Sequence, residues 1–343
     1  MPPGTMASLA SSVVFTSLLA LLGLGQGLFA AAQDSPQDLR RFSFTAPGMG
    51  TRFHITLYAP EAGYPEAEEA ARAAFDRVAA LNAIFSDYEP NSEINRASAA
   101  TTPWSASPDL FALSSRALQL AQLTDGAFDP TLGQLSRLWR SARQRQKLAP
   151  PDRLQKALAA TGWQHLQLHP ATQSLSLTQP NLLLDFGGIA KGYAADQMLA
   201  LLKSSGFPIA LVLAGGDTAA GDPPPGQTGW TITLRTGIDD NSPVSLPLAN
   251  RSVSTSGDLY QFIELDGTRY SHLIDPKSGL GLTRRIACSV IAPDTTTSDA
   301  LATALCLIGP DQGRKIATAE RLTVRWTWLD DAGNTHHLWH FSQ

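Results

Sequence analysis

Helix-period and strand-period segments are interspersed along this chain with no regular βαβ alternation, and that pattern constrains the fold more than any other feature. A parallel, doubly wound sheet requires such alternation, whereas an α+β arrangement does not. Apolar residues recur at helical spacing through residues 66–84 and 109–123, with no Gly or Pro inside the first run. Residues 126–140 open with a turn and end helical, and 151–161 read as a short helix with proline in its first turn. Further helices are expected at 190–202 and 298–308. Residues 42–58 read as two strands joined or bent at Gly48 and Gly50. Short strands are expected at 166–168 and 175–177, and a buried strand end at 182–185. Strands follow at 209–213, 230–234, 261–265 and 286–291, with strand-like runs near 322–328 and 337–341. The Gly- and Pro-rich stretch 221–229 is a loop. The expectation is one large α+β domain over residues 38–343, because no long linker divides the chain.

The first charged side chain is Asp34. Ahead of it, a mostly apolar run from Val13 to Leu24 is followed by Ala30, Ala31 and Ala32. This predicts a secretory signal over residues 1–32, cleaved before Gln33, and an extracytoplasmic, periplasmic protein. No Lys or Arg precedes the apolar run, so an uncleaved anchor that attaches the protein to the inner membrane is the rival reading. The formal net charge is -4 and no basic run occurs, which leaves nucleic-acid binding without electrostatic support. The two cysteines, Cys288 and Cys306, lie in a strand-like and a helix-like run, with no CxxC or His-rich company. Two buried thiols are expected rather than a disulfide or a zinc site.

Three local patterns could carry chemistry. Asp299 and Thr303 are four residues apart in the expected 298–308 helix, so a carboxylate and a hydroxyl share one face. Hard oxygen donors suit Mg²⁺, although an Asp near a helix start often only complements the helix dipole. The run from Asp185 to Gly192 is a strand-to-helix turn with adjacent Gly187 and Gly188 and a cation, Lys191. Such a turn can present N–H groups to phosphate, or simply connect two elements. His272 lies between Ser271 and an apolar pair ahead of Asp275 and Pro276, and could take a proton near neutral pH or make a structural hydrogen bond. Tyr88, between Asp87 and Glu89 on a polar loop, could stack on a flat heterocycle or pack as a half-exposed residue. Met49, between two glycines, could line the same pocket or plug the core.

Taken together and in order, these segments resemble the FAD:protein FMN transferase family, also called the ApbE family. The most specific stretches are the turn at 187–192, the segment from Ser271 to Pro276, and the helix start from Asp299 to Thr303. The resemblance implies an α+β fold with a T-fold-like core and FAD bound as substrate in a deep pocket. It implies Mg²⁺ at the pyrophosphate, held by the side chains of Asp299 and Thr303 and a main-chain oxygen of Ala190. It implies His272 as catalytic base and Met49 and Tyr88 flanking the flavin. Lys191, Gly216, Asp217, Thr255 and Asp275 match further pocket positions. Ala214 stands where the family often has Gly or Asn. The implied reaction transfers FMN from FAD to a Ser or Thr hydroxyl of an acceptor flavoprotein, giving a phosphoester and AMP. An FAD-binding protein without transfer activity, an FAD pyrophosphatase, or a secreted protein with no ligand are the alternatives.

Overall fold

Two residues with left-handed backbone start the architecture. In this computed structural model, which describes residues 39–238, 243–257 and 261–341, strands Leu39–Gly48 and Thr51–Pro60 pair with Gly48 opposite Thr51. Met49 and Gly50 form the intervening turn, at φ of 45° and 73°. A two-residue hairpin of this hand needs positive φ at both positions. Gly50 adopts it freely, while Met49 must be held there by its surroundings.

The hairpin begins an eight-stranded sheet whose spatial order follows the chain. The later strands are Ala210–Ala214, Asp217–Ala220, Arg251–Gly257, Ile286–Ala292, Thr323–Leu329 and Thr335–His340. Every neighbouring pair is antiparallel. Everything between consecutive strands is therefore an insertion, and the longest spans residues 61–209. Helices Tyr64–Phe85, Ala190–Ser204 and Thr295–Ile308 pack beside one another against one face of the sheet. Strand alternation supplies that face: Phe53, Ile55, Leu57 and Ala59 point inward from the second strand and are buried. Ala67, Ala70, Ala71 and Ala74 recur at helical spacing on the first helix and are buried, which lets it approach closely. The opposite face is partly covered by the hairpin of Trp230–Leu234 and Val244–Leu248, over Ala220, Val253 and Ile291.

The helix pair nearest the middle of the sheet crosses at Gly192. A Cβ there would stand 2.3 Å from the Thr295 carbonyl oxygen and 2.9 Å from Asp299 Cβ. Backbone cannot yield as a flexible side chain can, so Gly192→Ala is expected to destabilise the protein by about 1–3 kcal/mol. A urea midpoint equal to that of the unaltered protein would show that the helices are free to separate.

Several expectations shift. Residues 182–185 make only an isolated bridge, Leu132 to Leu183, rather than a strand. The Asp185 N–H donates to the Pro130 carbonyl, and its carboxylate accepts from the Ser136 hydroxyl and the Gly187 N–H, so the segment passes beside a loop. A helix absent from the sequence reading forms at Glu93–Ala99, capped by Ser92. Cys288 and Cys306 are buried and unbridged. The Cys306 thiol donates to the Ser256 carbonyl at 3.2 Å. Among the described residues no helix is long and apolar enough to cross a membrane. The expected signal, residues 1–32, lies outside them.

Candidate functional site

Helix Thr295–Ile308 starts earlier than its composition suggested. Asp294 caps it, accepting from the Thr297 N–H at 2.7 Å, and Asp196 accepts from the N–H groups of Thr295 and Thr296 at 2.8 Å each. Asp299 therefore sits in the second turn, beyond the N–H groups a first-turn carboxylate would complement. It is 4% exposed. Its carboxylate accepts from the Gly192 N–H at 3.1 Å and from Lys191 Nζ at 3.1 and 3.4 Å. Lys191 also pairs with Asp217, Nζ to Oδ2 3.1 Å, as an ion contact rather than an aligned hydrogen bond. Asp217 reaches this cluster because it lies opposite Ser254 in the sheet, and both side chains point to the helix face.

One ammonium between two buried carboxylates leaves one negative charge uncompensated. Burial, and then the nearby Asp217 carboxylate, push the Asp299 carboxyl up to about 6. For Lys191, burial disfavours the charged form, but Asp217 and Asp299 outweigh it and hold the ammonium above its ordinary range.

Thr303 follows one turn after Asp299 and shares a 3.0 Å hydrogen bond with the Ser256 hydroxyl. Gly188 stands against it: a Cβ at that glycine would lie 3.9 Å from Thr303 Oγ1. Ala190 is the first residue of the next helix, two positions before the Gly192 N–H that binds Asp299. A carboxylate and hydroxyls, with uncompensated negative charge, fit a small hard divalent cation. Among the described residues no group of three or more His, Cys, Asp or Glu forms a metal cage. Mg²⁺ commonly needs only one or two carboxylates when substrate phosphates complete its shell.

Two turns close over this cluster from the sheet end. Gly215, at φ 67°, and Gly216 link strands Ala210–Ala214 and Asp217–Ala220. A Cβ on Gly215 would come 3.1 Å from Thr51 Oγ1, beside the Met49 turn, and one on Gly216 would come 3.4 Å from the Thr255 carbonyl oxygen. Met49, Gly216, Asp217 and the Thr255 main chain thus converge. The Thr255 hydroxyl shares a 2.8 Å hydrogen bond with Ser289, and strand alternation turns it away from the helix face.

The remaining expected residues occupy loops. His272 follows strand Thr268–Ser271, with its N–H 3.0 Å and its Nδ1 3.2 Å from the Gln261 carbonyl. A carbonyl only accepts, which assigns the proton to Nδ1 and makes Nε2 the basic nitrogen. Asp275 closes its own turn by accepting from the Lys277 N–H at 3.0 Å. Tyr88 is 72% exposed and lies against Arg140, not against the Lys191 cluster. Ser256, Arg140 and the roles of Asp87 and Asp185 escaped the sequence reading. Alternation from Ser254 was the available signal for Ser256, since both face the helices.

A family model described as the ApbE family matches residues 49–326. The FAD:protein FMN transferase of Salmonella typhimurium is 32% identical over 251 residues, covering 70% of this chain and 71% of its own length. The Vibrio cholerae protein of the same name is 29% identical over 320 residues, covering 91% and 94%. The solved structure of flavin transferase ApbE from Vibrio cholerae superposes with a TM-score of 0.79 at 26% identity, over 89% of this chain and 98% of that one. The apo form of Pseudomonas stutzeri flavinyl transferase ApbE gives 0.78 at 29% identity, over 88% and 95%. The match takes in the Met49 turn, the Gly187-Gly188 turn, His272 and the Asp299 helix alike, and the chain belongs to the ApbE family.

Proposed function

We propose that this protein cleaves FAD and transfers its FMN moiety to a Ser or Thr hydroxyl of an acceptor flavoprotein. The observation that carries the reading is the buried group of Lys191, Asp217 and Asp299, set against Thr303 and the Gly188 turn in a member of this family. The acceptor oxygen bonds to the FMN-side phosphorus. The bond from that phosphorus to the bridging oxygen breaks, and AMP departs with the oxygen. The hydroxyl proton passes to Nε2 of His272, whose tautomer the Gln261 carbonyl sets. Lys191, its ammonium shared with Asp217 and Asp299, lies in the first turn of the helix that follows Gly187 and Gly188, and would help orient the pyrophosphate there. Mg²⁺, held by Asp299, Thr303 and the Ala190 main-chain oxygen, would stabilise charge on the pyrophosphate. Met49 and Tyr88 would flank the flavin, and Gly216, Thr255 and Asp275 shape the rest of the pocket.

We further propose that residues 1–32 direct export, placing the reaction outside the cytoplasm. The apolar run ending at Ala32 supports this.

Incubation with FAD, Mg²⁺ and candidate acceptor proteins, followed by intact mass spectrometry, tests the main reading. The expected result is an acceptor carrying one FMN phosphoester and an equal amount of AMP. Release of free FMN with AMP, whatever acceptor is supplied, would instead indicate hydrolysis of FAD by water. Bound but uncut FAD would indicate a binding protein.

A further inference from the structure

Tyr88 is a large aromatic residue with most of its surface in solvent, on a loop that is nonetheless firmly held. Asn95 Nδ2 donates to the carbonyls of Glu89 at 2.9 Å and Ser86 at 3.3 Å, bridging the loop's two sides. The Ser92 N–H donates to the Glu89 carbonyl at 3.0 Å, and Ser92 caps the helix that follows. The ring itself is fixed by Arg140, whose guanidinium carbon lies 4.4 Å from the ring centroid. Arg140 is in turn held by Asp87, Nη1 to Oδ2 2.5 Å. Both charged side chains are largely buried while the ring they steer is not.

We infer that Arg140 is a positioning residue for flavin: it backs one face of the Tyr88 ring, with Asp87 as its anchor, so that the other face is presented to the isoalloxazine. A guanidinium over an aromatic face is attracted by the ring quadrupole, and its planar shape allows stacking. An exposed ring without such backing would lose rotamer freedom on binding a flat ligand, and that entropy would weaken binding.

The same network reaches the phosphate end of the site. Arg140 lies one helical turn after Ser136 on helix Gly133–Arg145. Ser136 donates to Asp185, and Asp185 Oδ1 accepts from the Gly187 N–H at 2.8 Å. Burial, followed by the charge of Asp185, raises the Asp87 carboxyl above its usual range, while Arg140 works to hold it ionised. One helix face therefore braces both the Tyr88 loop and the turn at Gly187 and Gly188.

This inference rests on the reading of Tyr88 as a flavin contact, and the test separates the two. FAD binding is measured by fluorescence quenching, and transfer kinetics by mass, for Tyr88→Ala, Arg140→Lys and the double variant Asp87→Asn with Arg140→Gln. The double variant avoids leaving a buried carboxylate unpaired. Expected is a rise of about tenfold in the FAD Kd and KM for the double variant, with the rate at saturating FAD retained. Arg140→Lys should recover part of the loss, since charge returns without the planar stack. Adding Tyr88→Ala to the double variant should cost little further affinity, because both changes remove one platform. If Tyr88→Ala weakens FAD binding and the double variant does not, the role of Arg140 is refuted and the flavin contact stands. If Tyr88→Ala leaves binding unchanged, the flavin contact fails and the inference with it. A fall in the saturated rate without a change in Kd also overturns it.

Discussion

Asp299→Ala is expected to lower the FMN transfer rate by about 10²–10⁴-fold at limiting Mg²⁺, because charge stabilisation at a phosphoryl group is worth several kcal/mol. The fold should survive the change. Lys191 keeps Asp217 as a partner at 3.1 Å, so the buried ammonium is not orphaned. The substitution also removes the carboxylate that burial and Asp217 push up to about 6, which is strained as an anion. Two measurements check this: transfer rate against Mg²⁺ concentration, and metal binding by calorimetry in the presence of FAD. Thr303→Ala should be milder, since a neutral hydroxyl contributes less than a carboxylate and Ser256 remains beside the gap. Full activity of Asp299→Ala after treatment with EDTA would sink the metal assignment.

His272→Asn should bind FAD nearly as well as the unaltered protein and yet transfer FMN about 10²–10⁴ times more slowly, the usual contribution of a positioned general base. The amide can keep the hydrogen bond that Nδ1 makes to the Gln261 carbonyl, so the loop should hold its shape. What it loses is a nitrogen that can accept a proton near neutral pH. Single-turnover transfer at saturating FAD, beside an FAD titration, separates the two effects. Were FAD binding abolished while the saturated rate stayed the same, His272 would be a binding residue. The acceptor hydroxyl would then lose its proton by another route.

Much of the site was legible because its residues are close in sequence. Asp299 and Thr303 share a helix face by a spacing of four, and any helix through that segment would align them. The turn at Gly187 and Gly188, followed by Lys191, marked a strand-like segment meeting a helix, and helix Ala190–Ser204 begins where expected. The elements of strongest period, such as strand Trp230–Leu234 and the long helix Tyr64–Phe85, were equally plain. Boundaries that depend on distant partners were not. Helix Thr295–Ile308 begins at Thr295 because Asp294 caps it, a local signal the reading passed over, and because Asp196, on another helix, satisfies the N–H groups of Thr295 and Thr296. Nothing near Thr295 in the sequence announces Asp196 as a partner.

By itself the sequence determined an α+β fold, one helix face bearing a carboxylate and a hydroxyl, and two turns in which glycine leaves space. These follow from local periodicity and from the absence of side chains, both of which are readable one segment at a time. Tertiary structure alone decided which charges meet. Lys191 lies between Asp217 and Asp299, and Arg140 lies between Asp87 and Tyr88, across separations that only the packed sheet and helices close. The protonation of Asp299 and the direction in which the Tyr88 ring faces depend on burial and on neighbours supplied by other elements, and burial exists only once the chain has folded.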